Sequence, residues 1–186
     1  SVTCPLTWMT NTMQVRTTGW NFAAMGVGLF AASLGIYMVP LQIGALIDGL
    51  RLSESQAGIL GAVEVASMSL ISIIISPWLS SCSRSRTAFA GIIFAALCEM
   101  LTAFSSDLLF LFPLRMGVGI GCGCVFATVC VSAASTDQPD RNFGIAQGVM
   151  NSLFFLMFLI IPYSLGWGMH RGLFLSLMLI LLLTLP

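Results

Sequence analysis

Residues Leu108 to Ala134 read LLFLFPLRMGVGIGCGCVFATVCVSAA, an apolar run with one charged residue, Arg115, inside it. A helix needs about 20 residues, at about 1.5 Å each, to cross the roughly 30 Å hydrocarbon core of a bilayer, and this run exceeds that length. Similar runs lie on either side, near Trp20 to Ile47, Ser55 to Leu79, Thr87 to Ser105 and Asn142 to Gly166, with a shorter one from Gly172 to Pro186. Polar backbone groups in hydrocarbon must be satisfied within their own segment, and none of these runs shows the alternation of a barrel strand. The predicted fold is all-α: a threonine-rich segment over 1–19, then a polytopic bundle of six transmembrane helices over 20–186.

Composition agrees with that reading. Of 186 residues, 58% are hydrophobic and 8% charged, against about 25% charged in a soluble domain. All seven basic residues are arginine and seven acids balance them, so no polybasic arm points to nucleic acid. Six cysteines lie without the paired spacing of a zinc or redox centre and read as small packing residues, so no metal or other cofactor is expected. Arg16, Arg84, Arg86 and Arg141 fall on one side of the bundle and Arg51 and Arg171 on the other, which puts the N-terminus in the cytoplasm.

Three ionisable residues fall well inside apolar runs: Glu64, Glu99 and Arg115. A charge at the centre of a transmembrane helix costs about 2.5 to 3.5 kcal/mol on insertion scales, so each should face protein or a wet cavity. Glu99 lies eight residues before Asp107 and Arg115 eight after it, which places them at one depth on an antiparallel hairpin. Their ion pair would either set helix register or belong to a permeation path. Glu64 is expected in the same layer, and if Arg115 is held by Glu99, Glu64 becomes the candidate carrier of a coupling proton. Gly117, Gly119, Gly121 and Gly123 form two interleaved small-residue faces on the fourth helix, where neighbours can approach closely. Phe30, Ser33, Tyr37 and Pro40 share one face of the first helix, and Gln147 and Asn151 lie one turn apart in the fifth. Such stripes suit either a solvated path or interhelical hydrogen bonds.

Ser76 to Arg86 resembles the short basic loop of major facilitator superfamily transporters, G-x-L-a-D-r-x-G-r-r, in the place where that family carries it. Leu79 and Arg86 agree, whereas Pro77 stands at the first glycine, Ser81 at the aspartate and Arg84 at the second glycine. Gln56-Ala57-Gly58 and Pro139-Asp140-Arg141-Asn142-Phe143-Gly144 are similar to the openings of that family's second and fifth helices, and Arg115-Met116-Gly117-Val118-Gly119 to the R-x-x-x-G signature in its fourth, in order and spacing. Val118 stands where a glutamine is frequent, and the fifth run lacks the Gly-Pro pair of drug antiporters. The resemblance implies the first half of a twelve-helix secondary transporter in the plasma or inner membrane, built from two three-helix inverted repeats. It implies a small-molecule solute, a surrounding lipid bilayer, and a missing second six-helix half or a second copy as partner. Carried to this chain, cavity positions are Phe30, Ser33, Tyr37, Arg115 and Gly119, with Arg115 favouring an anionic solute. Glu64 and Glu99 are the intramembrane coupling charges, and a gating loop comprises Ser81, Arg84, Arg86, Asp137, Asp140 and Arg141, in which Asp137 or Asp140 replaces the absent aspartate.

Two other classes compete. A hydrolase or lipid transferase needs clustered chemistry, yet the one histidine, His170, sits in a predicted loop, no G-x-S-x-G occurs and the aspartates are dispersed. No enzymatic activity is expected. A half-transporter that does not transport, whether fragment or receptor-like, remains the alternative, and the 15-residue last run points to truncation.

Overall fold

The computed structural model describes residues 19–80, 83–165 and 169–185. Expectations resting on the segment before Gly19, on Arg16 and on Ser81 lie outside the described residues. Among the described residues six α-helices follow one another: α1 Gly19–Leu50, α2 Glu54–Ile75, α3 Arg84–Phe104, α4 Leu108–Ala134, α5 Pro139–Leu165 and α6 Met169–Leu183. α1 to α5 contain stretches long and apolar enough to cross a membrane, whereas α6, with 15 residues, is shorter than a full span. Large apolar side chains cover the outside, among them Ile73 of α2, Phe104 of α3, Leu109 of α4 and Phe155 of α5. Water would not tolerate so much continuous apolar surface, so the fold is that of a multi-pass membrane protein.

The helix ends follow local chemistry. α1 stops where Arg51 turns to φ 55°, a left-handed conformation that glycine takes more readily. Two residues later Ser53 caps α2: its hydroxyl accepts from the Gln56 amide at 3.2 Å, and the Gln56 side chain accepts from the Ser53 amide at 3.0 Å. Ser53→Ala should therefore cost about 1 kcal/mol of stability, read as a lower unfolding midpoint in detergent. α2 gives way at Ser76–Ser80 to a 3₁₀ turn containing Pro77, which has no amide hydrogen to continue the ladder. Asp107 caps α4 by accepting from the Leu109 amide at 3.1 Å.

Two boundaries move residues assigned by sequence to a loop. α3 begins at Arg84, so Arg84 and Arg86 lie in its first turn; α5 begins at Pro139, so Asp140 and Arg141 lie in its first turn. In both places helical structure continues past the apolar run into polar sequence, and α5 starts on a proline whose fixed φ suits the first helical position.

α4 is the central element and packs against α1, α2 and α3. Its glycines divide between two neighbours. Gly117 and Gly121 face Cys98, Gly91 and Ala95 of α3, while Gly119 and Gly123 face Glu64, Ser67, Met68 and Ile71 of α2. The two interleaved faces expected from spacing are thus both used, and the close approach lets the Ser72 hydroxyl of α2 donate to the Gly123 carbonyl at 3.1 Å. Exchanging α1, α2 and α3 for α4, α5 and α6 maps the α2–α4 packing onto α5–α1, α3–α4 onto α6–α1 and α1–α2 onto α4–α5. The same exchange leaves α1–α4 and α3–α6 in place; the α5–α6 contact breaks the pattern.

Candidate functional site

Arg115 lies in the second turn of α4, pointing inward with 1% of its surface exposed. Such a guanidinium is tolerated away from water only when its donors are met. Nη2 donates to Glu99 Oε2 of α3 at 2.7 Å and to Thr102 Oγ1 at 3.2 Å. Nη1 donates to Glu64 Oε2 of α2 at 3.0 Å and to Gln42 Oε1 of α1 at 3.2 Å. The Phe174 ring of α6 lies 4.9 Å from the guanidinium carbon, as a cation–π partner. Five helices therefore meet on one side chain.

The polar details are consistent with a cluster built around that cation. Thr102 donates its own hydroxyl hydrogen to the Cys98 carbonyl at 2.8 Å, which turns its lone pairs toward Arg115. Gly35 of α1 lies against Glu64 Oε1, where any side chain would collide with the carboxyl. Glu64 Oε1, Gln42 Nε2 and Arg115 Nε are buried without a hydrogen-bond partner. One guanidinium faces two carboxyl groups, so with both ionised the cluster carries one negative charge in excess.

The matching depth of Glu99 and Arg115 is found as expected. Glu64 differs: it is not left over but shares the same guanidinium. Arg115, expected to favour an anionic solute, is buried here with both Nη atoms on carboxylates inside the bundle. Gly119 is likewise packed against α2 instead of a cavity. Phe30 and Ser33 are buried, with Phe30 against Phe154 of α5 at 4.7 Å between ring centres. Tyr37 alone of the cavity candidates reaches the surface: it is 41% exposed and stacks on Phe154 at 4.3 Å. Elsewhere on α5, Gly148, Asn151 and Ser152 are exposed.

Sequence reading missed Gln42, Thr102 and Phe174. Thr102 carried a signal, being three residues from Glu99 on the same helical face, and Gln42 is a polar residue deep in an apolar run. Phe174 carried none. At the expected gate, the ion pairs among the described residues are the two on Arg115, so neither Arg84 nor Arg86 is paired with Asp137 or Asp140. Arg141 instead donates to Gln138 at 3.2 Å, across one turn of the α5 start. No family model, curated protein or solved structure matches this chain.

Proposed function

We propose that this chain is a six-helix half of a secondary active transporter, moving a small solute by alternating access with a proton as the coupling ion. The observation that carries the reading is the buried cluster of Glu64, Glu99 and Arg115. Two carboxyls on one guanidinium leave an unbalanced negative charge far from water, and a proton removes that imbalance without disturbing the packing. The near-symmetric exchange of α1–α3 with α4–α6 supports a bundle made of two repeats, which rocking transporters use. In this reading Tyr37 and the exposed α5 residues Asn151 and Ser152 belong to one wall of the solute path. The opposite wall comes from a second six-helix half or a second copy. The excess of arginine on the side of Arg84, Arg86 and Arg141 supports a cytoplasmic position for that side and for the N-terminus, in a plasma or inner membrane.

The two carboxylates on Arg115 bear on which solute is favoured. An anion would have to displace a carboxylate from the guanidinium, so Arg115 acts here as the positioning cation of the coupling site. In proteoliposomes holding the full-length protein, a panel of small solutes under an imposed pH gradient identifies the substrate. Glu64→Gln should then reduce gradient-driven accumulation at least about tenfold while solute exchange continues, because the isosteric amide keeps the packing but cannot release a proton. Accumulation that still follows the pH gradient in that variant removes the coupling role.

A further inference from the structure

We infer that the outer groove between α3 and α4 is a binding site for one anionic phospholipid, with an acyl chain in the groove and the phosphate on Arg86. The groove is shallow and open, with a volume of about 420 Å³, and is lined by Arg86, Ala90, Gly91 and Phe94 of α3 and by Gly121 and Cys124 of α4. Its floor is bare backbone. A methyl group on Gly91 would lie 2.7 Å from the Gly121 carbonyl oxygen, so the two glycines bring the helices together and leave a furrow above them. Phe94 forms an apolar shoulder that is itself half exposed.

Length and charge together select the occupant. From Arg86 to Phe94 the groove follows α3 for about 12 Å at 1.5 Å per residue, close to the roughly 15 Å of hydrocarbon in one leaflet. Arg86 stands at the outer end, exposed and without an ion-pair partner among the described residues. Arg86 lies in the first turn of α3, at the end of the apolar run, where a side chain is expected to reach the lipid headgroups. A guanidinium can hold a phosphate by two parallel hydrogen bonds, and the groove below it offers an apolar path of acyl length. A zwitterionic lipid fills the same furrow, but its own cationic group weakens the attraction at Arg86. The site is separate from the Arg115 cluster and does not depend on a transport function.

Native mass spectrometry of the purified full-length protein provides the test, with phosphatidylglycerol and phosphatidylcholine of identical acyl chains as probes. The protein should retain phosphatidylglycerol about fivefold better, the factor expected for one arginine near an anionic headgroup. Arg86→Gln should bring the two lipids to equal retention and Arg86→Lys should keep part of the preference. Arg141→Gln, on the same side but outside the groove, should leave it unchanged. A phosphatidylglycerol carrying a photoreactive diazirine in its acyl chain should label the stretches around Phe94 and Cys124 in the unaltered protein. Equal retention by the unaltered protein, a preference that survives Arg86→Gln, or labelling confined to other helices overturns the site. Protection of the groove by a second copy, seen as a dimer with no label there, overturns it as well.

Discussion

Arg115→Met should leave little folded protein in the membrane, the largest single loss expected anywhere in this chain. The substitution keeps an apolar side chain of similar length but strands Glu64 and Glu99, both buried, with no cation between them. Removing one partner of a buried ion pair costs about 3 to 5 kcal/mol, and here two carboxyls lose the same partner. Against the 5 to 15 kcal/mol of a typical fold, that loss is decisive. The measurement is the yield and unfolding midpoint of detergent-purified protein, followed by the monodisperse peak on size exclusion. The triple variant Arg115→Met, Glu64→Gln, Glu99→Gln should recover most of the yield, because it removes every charge of the cluster together. Arg115→Lys should fall between, since one ammonium cannot reach acceptors on α1, α2 and α3 at once; each lost bond costs about 1 to 3 kcal/mol. If Arg115→Met is as stable as the parent protein, the cluster does not hold the bundle together.

Gly121→Leu should separate α3 from α4 and rank second. Even a methyl group there would lie 2.5 Å from the Gly91 carbonyl oxygen and 2.8 Å from the Ala95 side chain, and the first of these is backbone that cannot rotate away. Overpacking by a methylene or two costs about 1 to 3 kcal/mol where the surroundings can adjust, so Gly121→Ala should fall in that range and Gly121→Leu above it. The same loss should close or distort the furrow beneath Arg86. Gly144→Ala in α5 is the control: nothing lies within 4 Å of that position, and alanine is the better helix former by about 1 kcal/mol. Thermal unfolding in detergent should therefore move down for Gly121 and level or up for Gly144. Equal behaviour at the two positions would contradict the close packing of α3 and α4.

These two sites differ in how readable they were. The glycine pattern of α4 announced two close-packed faces because helical periodicity alone assigns residues four apart to one side. It did not announce which neighbour each face would meet, and so Gly119 read as a cavity residue when it belongs to the α2 contact. The Glu99–Arg115 pair was legible for a similar reason: equal distances from the Asp107 turn dictate equal depth on a hairpin. That Glu64 would join the same guanidinium, and that Gln42, Thr102 and Phe174 would complete its shell, depended on how five helices are rotated about their own axes. Rotation is set by packing between helices remote in sequence, and no local pattern records it.

What the sequence determined alone is the helical, membrane-crossing character of the chain and the position of its helices to within a few residues. Hydrocarbon forces unbroken apolar runs and internal backbone pairing, and both are written residue by residue. What tertiary structure alone decided is the use of the charges. It buried Arg115 against two acids, and among the described residues it left Arg84 and Arg86 in the first turn of α3 without the acidic partners expected of a latch. The physical reason is that hydropathy depends on composition along the chain, whereas the fate of a charge depends on which side chains arrive within about 3 Å of it from elsewhere.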